Sequence, residues 1–251
     1  MYHHVTRLLM AAALIPSAFA LQTENLNLNI PRAEKPKVID GQFDDWALQD
    51  GVFCCDNVIT MRDSYATWLH ASFDDKYLYI LSRWTDGSPL NNAGSSAGDY
   101  GFQGDSLQFR IVTQIDKPGQ ARTAHLMGWR DRNGKDVIDV AYGKDFNEGS
   151  IRDAKEKGAK QAFKTYDDKS GYTQEIAIPW ELLTKDGFVP KAGDSILFTF
   201  EPNFRTDAGI RLSTKDVFKS GVVIDRVFTF QGPGSWGYGK LVEKPGSDAR
   251  A

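Results

Sequence analysis

The sequence predicts an all-β protein, an antiparallel β-sandwich of the jelly-roll or immunoglobulin-like kind with one or two short helices. Apolar and polar residues alternate with a period of two in about ten short segments, most of which are bounded by Gly, Asp, Asn or Pro. A helical period of 3.6 residues is confined to 150–157 and 179–183. A parallel α/β sheet is therefore disfavoured, because it needs a crossover, usually a helix, between successive strands.

The predicted strands follow one another along most of the chain. The alternation is clearest in 65–73, 78–84 and 107–111, where the residues of one face are mostly apolar. Turns at 73–76 and 166–171 each join two strands into a hairpin. The remaining segments predicted as strands are 121–129, 137–142, 160–165, 172–178, 195–203, 222–230 and 238–242.

The first 20 residues have the pattern of a Sec signal peptide. Arg7 precedes a short apolar run, and Ala18 and Ala20 form a small-x-small cleavage site. The run is too short to span a bilayer, and no later segment approaches the roughly 20 apolar residues of a membrane helix. We therefore expect a secreted or periplasmic protein, cut after Ala20, with no membrane span. Its predicted organisation is a signal peptide over 1–20, an extended lead-in over 21–35, one β-sandwich domain over 36–243 and a flexible tail over 244–251.

Charge and cysteine content exclude several kinds of protein. The chain has 30 Lys and Arg against 33 Asp and Glu, a net charge of −3, with the basic residues scattered, which argues against a nucleic-acid partner. Its two cysteines, Cys54 and Cys55, are adjacent, so they form no disulfide framework and no metal or c-type haem motif. They could form a vicinal disulfide or an intermolecular bridge.

No enzymatic constellation stands out. Of the four histidines, His3 and His4 belong to the signal peptide, and His70 and His125 lie within predicted strands. There is no G-x-S-x-G element. The acidic pairs are adjacent in turns, where their side chains diverge, so they do not suit glycoside hydrolysis. We therefore predict that the protein is not an enzyme.

Aromatic residues at strand ends favour carbohydrate binding, because the C–H face of a sugar ring stacks on an aromatic ring. Trp84 and Trp129 each end a predicted strand and lead into a polar turn. Between them lies a long loop, 89–105, which is rich in Gly, Asn and Ser and carries Tyr100 and Phe102. We predict that Trp84 and Trp129 stack on sugar, and that four further residues contribute to the site: Asp86, Asp105, Arg130 and Tyr100.

Four segments resemble the family-nine carbohydrate-binding modules. They are the opening I-D-G-Q-F-D-D-W at 39–46, the acidic turn and L-Y strand at 74–80, the G-D-S strand at 104–109, and G-Y-T-Q-E-I-A-I-P-W at 171–180. The segments occur in the same order as in the family and span 38–241. The resemblance implies a β-sandwich that binds an oligo- or polysaccharide without catalysis. In this family the sugar lies between two Trp faces, and some members hold structural calcium. A partner glycoside hydrolase is also implied.

The same architecture is similar to a second group, the b-haem subunit of ethylbenzene-dehydrogenase-type enzymes. Those domains use Met with Lys or His as axial ligands. The predicted strand 123–129 places His125, Met127 and Trp129 on one face. The alternative function is therefore that of a b-type haem electron-transfer domain, with Met127 or His125 as an axial ligand and a redox protein as partner.

Overall fold

The computed structural model describes residues 27–55, 57–143, 145–213 and 236–246. Within these residues thirteen strands form two sheets. The large sheet has the order β1-β13-β11-β5-β6-β7-β8, and β12 pairs with β11. Its strands are β1 (Asn27–Pro31), β5 (Ser106–Thr113), β6 (Arg122–Arg130), β7 (Asp136–Tyr142), β8 (Ser150–Ile151), β11 (Ser195–Arg205), β12 (Arg211–Ser213) and β13 (Gly237–Val242).

The small sheet has the order β2-β3-β4-β10-β9. Its strands are β2 (Val52–Cys54), β3 (Tyr65–Phe73), β4 (Tyr77–Asp86), β9 (Lys160–Thr165) and β10 (Gly171–Pro179). Neighbouring strands are antiparallel in both sheets, except that β1 pairs with β13 in parallel. The predicted all-β sandwich is confirmed. One-turn 3-10 helices lie at Gly101–Gln103, Ala154–Lys157 and Trp180–Leu182.

The core lies between the two sheets and is formed by alternate residues of their strands. In the large sheet, Phe109, Leu126 and Phe198 face inward, and in the small sheet Phe73 and Ile80 do so. All five side chains are fully buried. The alternation with a period of two seen in the sequence is therefore the pattern of the inner faces.

The outer face of the small sheet is partly covered by the segment that precedes β2. Trp46 packs there on Tyr77 and Tyr79, and its indole nitrogen donates a hydrogen bond to Glu175 Oε1 at 2.8 Å. The backbone N–H groups of Asp40 and Gly41 donate to the other oxygen of Glu175 at 3.0 and 2.7 Å. The first and last of the four sequence segments are thus joined by one buried carboxylate.

Gly41 is required at this junction by its backbone conformation and by lack of space. Its φ is +86°, and a Cβ atom there would lie 2.8 Å from the carbonyl carbon of Phe163. A residue with a side chain would be strained and would push the turn away from β9. Gly41 therefore allows the turn to approach Glu175 closely.

Several boundaries predicted from the sequence are confirmed. Both hairpins form, since 73–76 joins β3 to β4 and 166–171 joins β9 to β10. The predicted helical segments are shorter than expected and contain only single 3-10 turns. The signal peptide, the strand predicted at 222–230 and the end of the tail, from residue 247, lie outside the described residues.

The lead-in predicted over 21–35 is wrong in part, because the sandwich begins before Pro36. Asn27–Pro31 forms β1, in which Leu28 and Ile30 are buried in the core. A five-residue strand is too short for periodicity to distinguish from an extended linker. Its role is fixed by pairing with β13, which lies about two hundred residues further along the chain.

Cys54 and Cys55 are both buried thiols, and no disulfide joins them. A vicinal disulfide formed in an oxidising compartment stays a prediction. An intermolecular bridge would require a buried thiol to become accessible. Among the described residues, no helix is long and apolar enough to cross a membrane.

Candidate functional site

The outer face of the large sheet carries polar side chains that are nevertheless buried. They alternate with core residues: Gln108 and Arg110 on β5, His125 on β6, Asp139 on β7 and Glu201 on β11. An ordinary outer face of a sandwich would be open to water. Here the loops that follow β4 and β7 lie over this face. Buried polar side chains gathered beneath two loops are typical of a binding site.

A cleft of about 250 Å³ lies between these loops and the sheet, and we call it the aromatic cleft. Its floor comes from β6 and β7, and its walls come from the loop 89–105 and from the segment 145–149. It is lined by Tyr100, Phe102, His125, Met127, Asp139, Val140, Ala141, Phe146 and Ser150.

Three aromatic rings form the walls of the aromatic cleft. Tyr100 and Phe102 lie on one loop with their ring centroids 6.2 Å apart, and 43% of Tyr100 is exposed. Phe146, on the other loop, lies 4.9 Å from the imidazole of His125 and is also exposed. Large aromatic side chains that stay open to solvent on both sides of a cleft provide stacking surfaces for a ligand.

An ion pair between the buried Asp139 and the exposed Arg152 orders one wall. Asp139 Oδ2 accepts a hydrogen bond from the indole nitrogen of Trp129 at 3.0 Å, and Asp139 Oδ1 lies 3.1 Å from Arg152 Nε. Burial raises the pKa of Asp139, while the indole hydrogen bond and Arg152 oppose that rise. The guanidinium of Arg152 also lies 4.1 Å from the ring centroid of Tyr100 and donates to two loop carbonyls, Ser96 and Asp99. Arg152 therefore holds Tyr100 and its loop against the sheet.

His125 is held as a neutral hydrogen-bonding group. Burial and the nearby Arg110 lower the pKa of His125 to about 3. Its Nε2 lies 3.0 Å from Gln108 Oε1, so the proton sits on Nε2 and is donated to the amide oxygen. Among the described residues, Gln108 Nε2 has no hydrogen-bond partner although it is buried. Arg110 lies between two rings, 4.7 Å from the centroid of Phe146 and 5.9 Å from that of Trp236.

Trp84 does not lie at an open rim, and that prediction is wrong. It is 1% exposed and faces the core, where it stacks on Tyr172 with centroids 5.1 Å apart. It shares the parity of Leu78 and Ile80 on β4, both of which face inward. A position at the end of a strand therefore does not by itself place a tryptophan at the surface.

Trp129 is also enclosed, so its predicted exposure is wrong too. It lies on the outer face of β6 but is 0% exposed, because the loop 89–105 covers it. Gly101 makes this cover possible, since a Cβ atom there would lie 2.7 Å from Met127 Sδ and 2.8 Å from Trp129 Cγ. Trp129 therefore supports the floor of the aromatic cleft and orients Asp139.

Asp86 and Asp105 form a buried pair at the base of the loop 89–105. Asp105 accepts backbone hydrogen bonds from Asn91 and Arg205, which tie the loop to β11, and Asp86 accepts one from Ser88. Burial, and then the charge of Asp86, raise the pKa of Asp105 to about 9, so Asp105 is protonated and donates to Asp86. Their predicted contact with sugar stays a prediction, and neither lines the aromatic cleft.

Arg130 lies at the end of the β6–β7 hairpin. It pairs with Asp136 through two hydrogen bonds, at 2.6 and 3.1 Å, and lies over the ring of Phe163. It does not line the aromatic cleft. Its contact with sugar also stays a prediction.

The structure brings together three residues that the sequence analysis singled out for two different functions. Tyr100, predicted for sugar, lines the aromatic cleft with His125 and Met127, named as alternative haem ligands. Asp139 and Phe146 were not predicted from the sequence. The sequence does mark Asp139, because it is a polar residue between two apolar ones on a strand whose other face lies in the core. Phe146 lies in a short loop, where periodicity carries no information.

The residues present do not suit a six-coordinate haem. His125 and Met127 lie on the same wall, two residues apart on β6, and His125 Nε2 is bonded to Gln108. The described lining contains no Lys, Cys, second His or second Met to face them. Metal clusters of three or more His, Cys, Asp or Glu are likewise not found among the described residues, and structural calcium stays a prediction.

Comparison with solved structures supports the β-sandwich fold. Neither a scan against models of protein families nor a search of curated proteins finds a match. Among solved structures, a family 9 carbohydrate-binding module from Caldicellulosiruptor kristjanssonii in complex with cellotriose is similar, at 19% identity and a TM-score of 0.52. The match covers 90% of this chain and 97% of that one. The module from the same organism in complex with glucose matches at 18% identity and a TM-score of 0.52, over 89% and 99% of the two chains. The fold of this chain is therefore that of a family 9 carbohydrate-binding module.

Proposed function

We propose that this protein binds carbohydrate without catalysis, through the aromatic cleft. The observation that carries the proposal is the meeting, in one cleft, of exposed aromatic rings with buried polar groups. The shared fold supports it, because the similar solved structures hold cellotriose and glucose.

The aromatic cleft matches the chemistry of a sugar ring. Tyr100, Phe102 and Phe146 offer stacking surfaces for the C–H faces of the ring. Asp139, Arg152 and the neutral His125 offer fixed acceptors and donors for its hydroxyl groups. Stacking contributes about 1 kcal/mol per ring beyond area burial, and each hydroxyl contact adds little net energy. We expect a dissociation constant between about 1 μM and 1 mM.

The cleft does not have the two carboxyl groups, about 5 to 10 Å apart, that glycoside hydrolysis uses. In its described lining Asp139 is the single carboxylate, and it is already bonded to Trp129 and paired with Arg152. This arrangement suits recognition of a hydroxyl group. It supports binding without cleavage.

The proposal is tested by removing the stacking surfaces. We expect Tyr100→Ala and Phe146→Ala each to weaken binding about 5- to 10-fold, since each removes roughly 1 kcal/mol of stacking. The measurement is isothermal titration with glucose and cellotriose, preceded by affinity gel electrophoresis on a panel of polysaccharides to find the preferred sugar.

Tyr238→Ala is the matched control, because Tyr238 is 53% exposed on β13, outside the aromatic cleft. It should bind like the wild type. Unchanged affinity in both cleft variants, with the fold intact by circular dichroism, would refute the assignment. A Soret band in the purified protein, or on adding hemin, would favour the haem alternative.

We also infer that the chain is exported by the segment 1–20. Its Arg7, apolar run and small residues at the cut are the features that signal peptidase substrates share. N-terminal sequencing of the protein from an exporting host should begin at Leu21. Recovery with Met1 intact in the cytoplasm would contradict export.

A further inference from the structure

Five residues on the outer face of the small sheet stand in one row across all five strands. The strand register pairs Phe53 with Trp68, Trp68 with Arg83, Arg83 with Thr173, and Thr173 with Lys164. We call these residues the transverse row. Strands lie about 4.8 Å apart, so four spacings extend about 19 Å. The row lies on the side of the sandwich opposite to the aromatic cleft.

One end of the transverse row is an aromatic platform. Trp68 is 43% exposed, as much as Tyr100 in the aromatic cleft. The ring of Phe53 lies 5.1 Å from it, centroid to centroid, at 44°. Trp68 faces away from the core, since its neighbour Leu69 faces inward. An exposed indole braced by a second ring provides a surface to which a flat apolar face can bind.

The other end is a pocket of about 330 Å³. Thr173 lies in its lining, with Phe43 and Tyr166, and Phe43 is exposed. Lys164 also lines it and donates to Gln42 Oε1 at 2.8 Å. Aromatic side chains and hydrogen-bonding groups are thus combined here, as they are in the aromatic cleft.

Arg83 connects the platform to the pocket. Its guanidinium lies 5.6 Å from the ring centroid of Phe43, and its buried Nε has no hydrogen-bond partner among the described residues. The positive charges of Arg83 and Lys164 are balanced by two carboxylates of the pocket lining, Asp44 and Asp167. A surface with stacking rings and no excess charge suits an uncharged, hydroxyl-rich ligand.

We propose that the transverse row is a second glycan-binding surface, which takes an extended, uncharged polysaccharide chain. Its length exceeds one sugar ring, whereas the aromatic cleft holds a short segment. Because the two surfaces lie on opposite faces of the sandwich, one protein molecule binds two separate chains. Two sites on one molecule increase the avidity for a polysaccharide without changing the affinity for a short oligosaccharide.

The test separates the two surfaces by substituting each in turn. Trp68→Ala and Arg83→Gln are compared with Tyr100→Ala and with the control Tyr238→Ala. Binding to cellotriose is measured by titration, binding to hydroxyethylcellulose by affinity gel electrophoresis at low and high salt, and bridging of polymer chains by light scattering. Thermal unfolding checks that each variant is folded.

We expect Trp68→Ala to weaken polysaccharide binding about 5-fold and to abolish bridging, with cellotriose binding unchanged. Arg83→Gln should act in the same direction. Polysaccharide binding and bridging that survive Trp68→Ala would overturn the second surface, even if Tyr100→Ala confirms the cleft. If the only change observed is the loss of cellotriose binding in Tyr100→Ala, the result supports the proposed function and not the second surface. A preference for acidic polysaccharides that disappears in salt would overturn the uncharged ligand, and a wild type that binds no glycan would overturn both proposals.

Discussion

Replacing Glu175 with alanine is expected to lower the free energy of unfolding by about 3 kcal/mol. The carboxylate accepts hydrogen bonds from Trp46 Nε1 and from the backbone of Asp40 and Gly41. Trp46 and Gly41 are buried, so two donors would lose their partner where water cannot replace it. Part of this cost is offset. Burial raises the pKa of Glu175 although the three hydrogen bonds lower it, so the charged carboxylate carries a burial penalty that the substitution removes. Urea unfolding followed by tryptophan fluorescence measures the difference.

Two controls show whether the loss comes from this junction. Glu181→Ala removes an exposed glutamate of the short helix after β10 and should change stability by less than about 0.5 kcal/mol. Trp46→Phe removes the indole donor. It should lower the free energy of unfolding by less in the Glu175→Ala variant than in the wild type. If the two changes add independently, Glu175 does not hold the N-terminal segment in the way described.

Raising the pH from about 5 to 9 is expected to destabilise the protein through the pair Asp86 and Asp105. Burial, together with the charge of Asp86, raises the pKa of Asp105 to about 9, so the folded state keeps a proton that the unfolded state releases near pH 4. The contribution of this proton to stability is complete below about pH 4 and is lost as the pH rises toward 9. The slope reaches at most about 1.4 kcal/mol per pH unit.

Asp86→Asn provides the specific test. An amide at position 86 still accepts from Ser88 through its oxygen and donates to Asp105 through its nitrogen, so Asp105 can ionise without a buried like charge. The free energy of unfolding of this variant should depend less on pH than that of the wild type. Asp63→Asn, at an exposed carboxylate, should follow the wild-type curve. Parallel curves for Asp86→Asn and the wild type would show that the pair does not share a proton.

The fold was predictable from the sequence because it depends on the alternation of inward and outward residues along each strand, which we call parity, and on the positions of the turns. The same parity decides which side of a strand a tryptophan occupies, and it places Trp84 with Ile80 in the core. The outward position of Trp129 also follows from parity, but its burial does not. It depends on a loop that is distant in sequence and fits only because Gly101 lacks a side chain.

The candidate site was predictable in part for the same reason. Tyr100, His125 and Met127 were singled out, whereas Phe146 and Arg152 reach the aromatic cleft from a short loop and a turn. Loop conformations depend on tertiary contacts that periodicity does not contain. The four sequence segments mark the framework, and one of their residues, Glu175, holds the N-terminal turn in place.

The parallel pairing of β1 with β13 bears on the order in which the molecule can form. Asn27 lies opposite Tyr238, and Pro31 opposite Val242, so the first described strand has no hydrogen-bonded neighbour in its sheet until the last described strand has been synthesised. A ribosome must therefore release nearly the whole polypeptide before this sheet edge can close, and contacts so distant in sequence form slowly. The edge of the large sheet formed by β1 is therefore the last part of this sheet that can be completed as the chain is made.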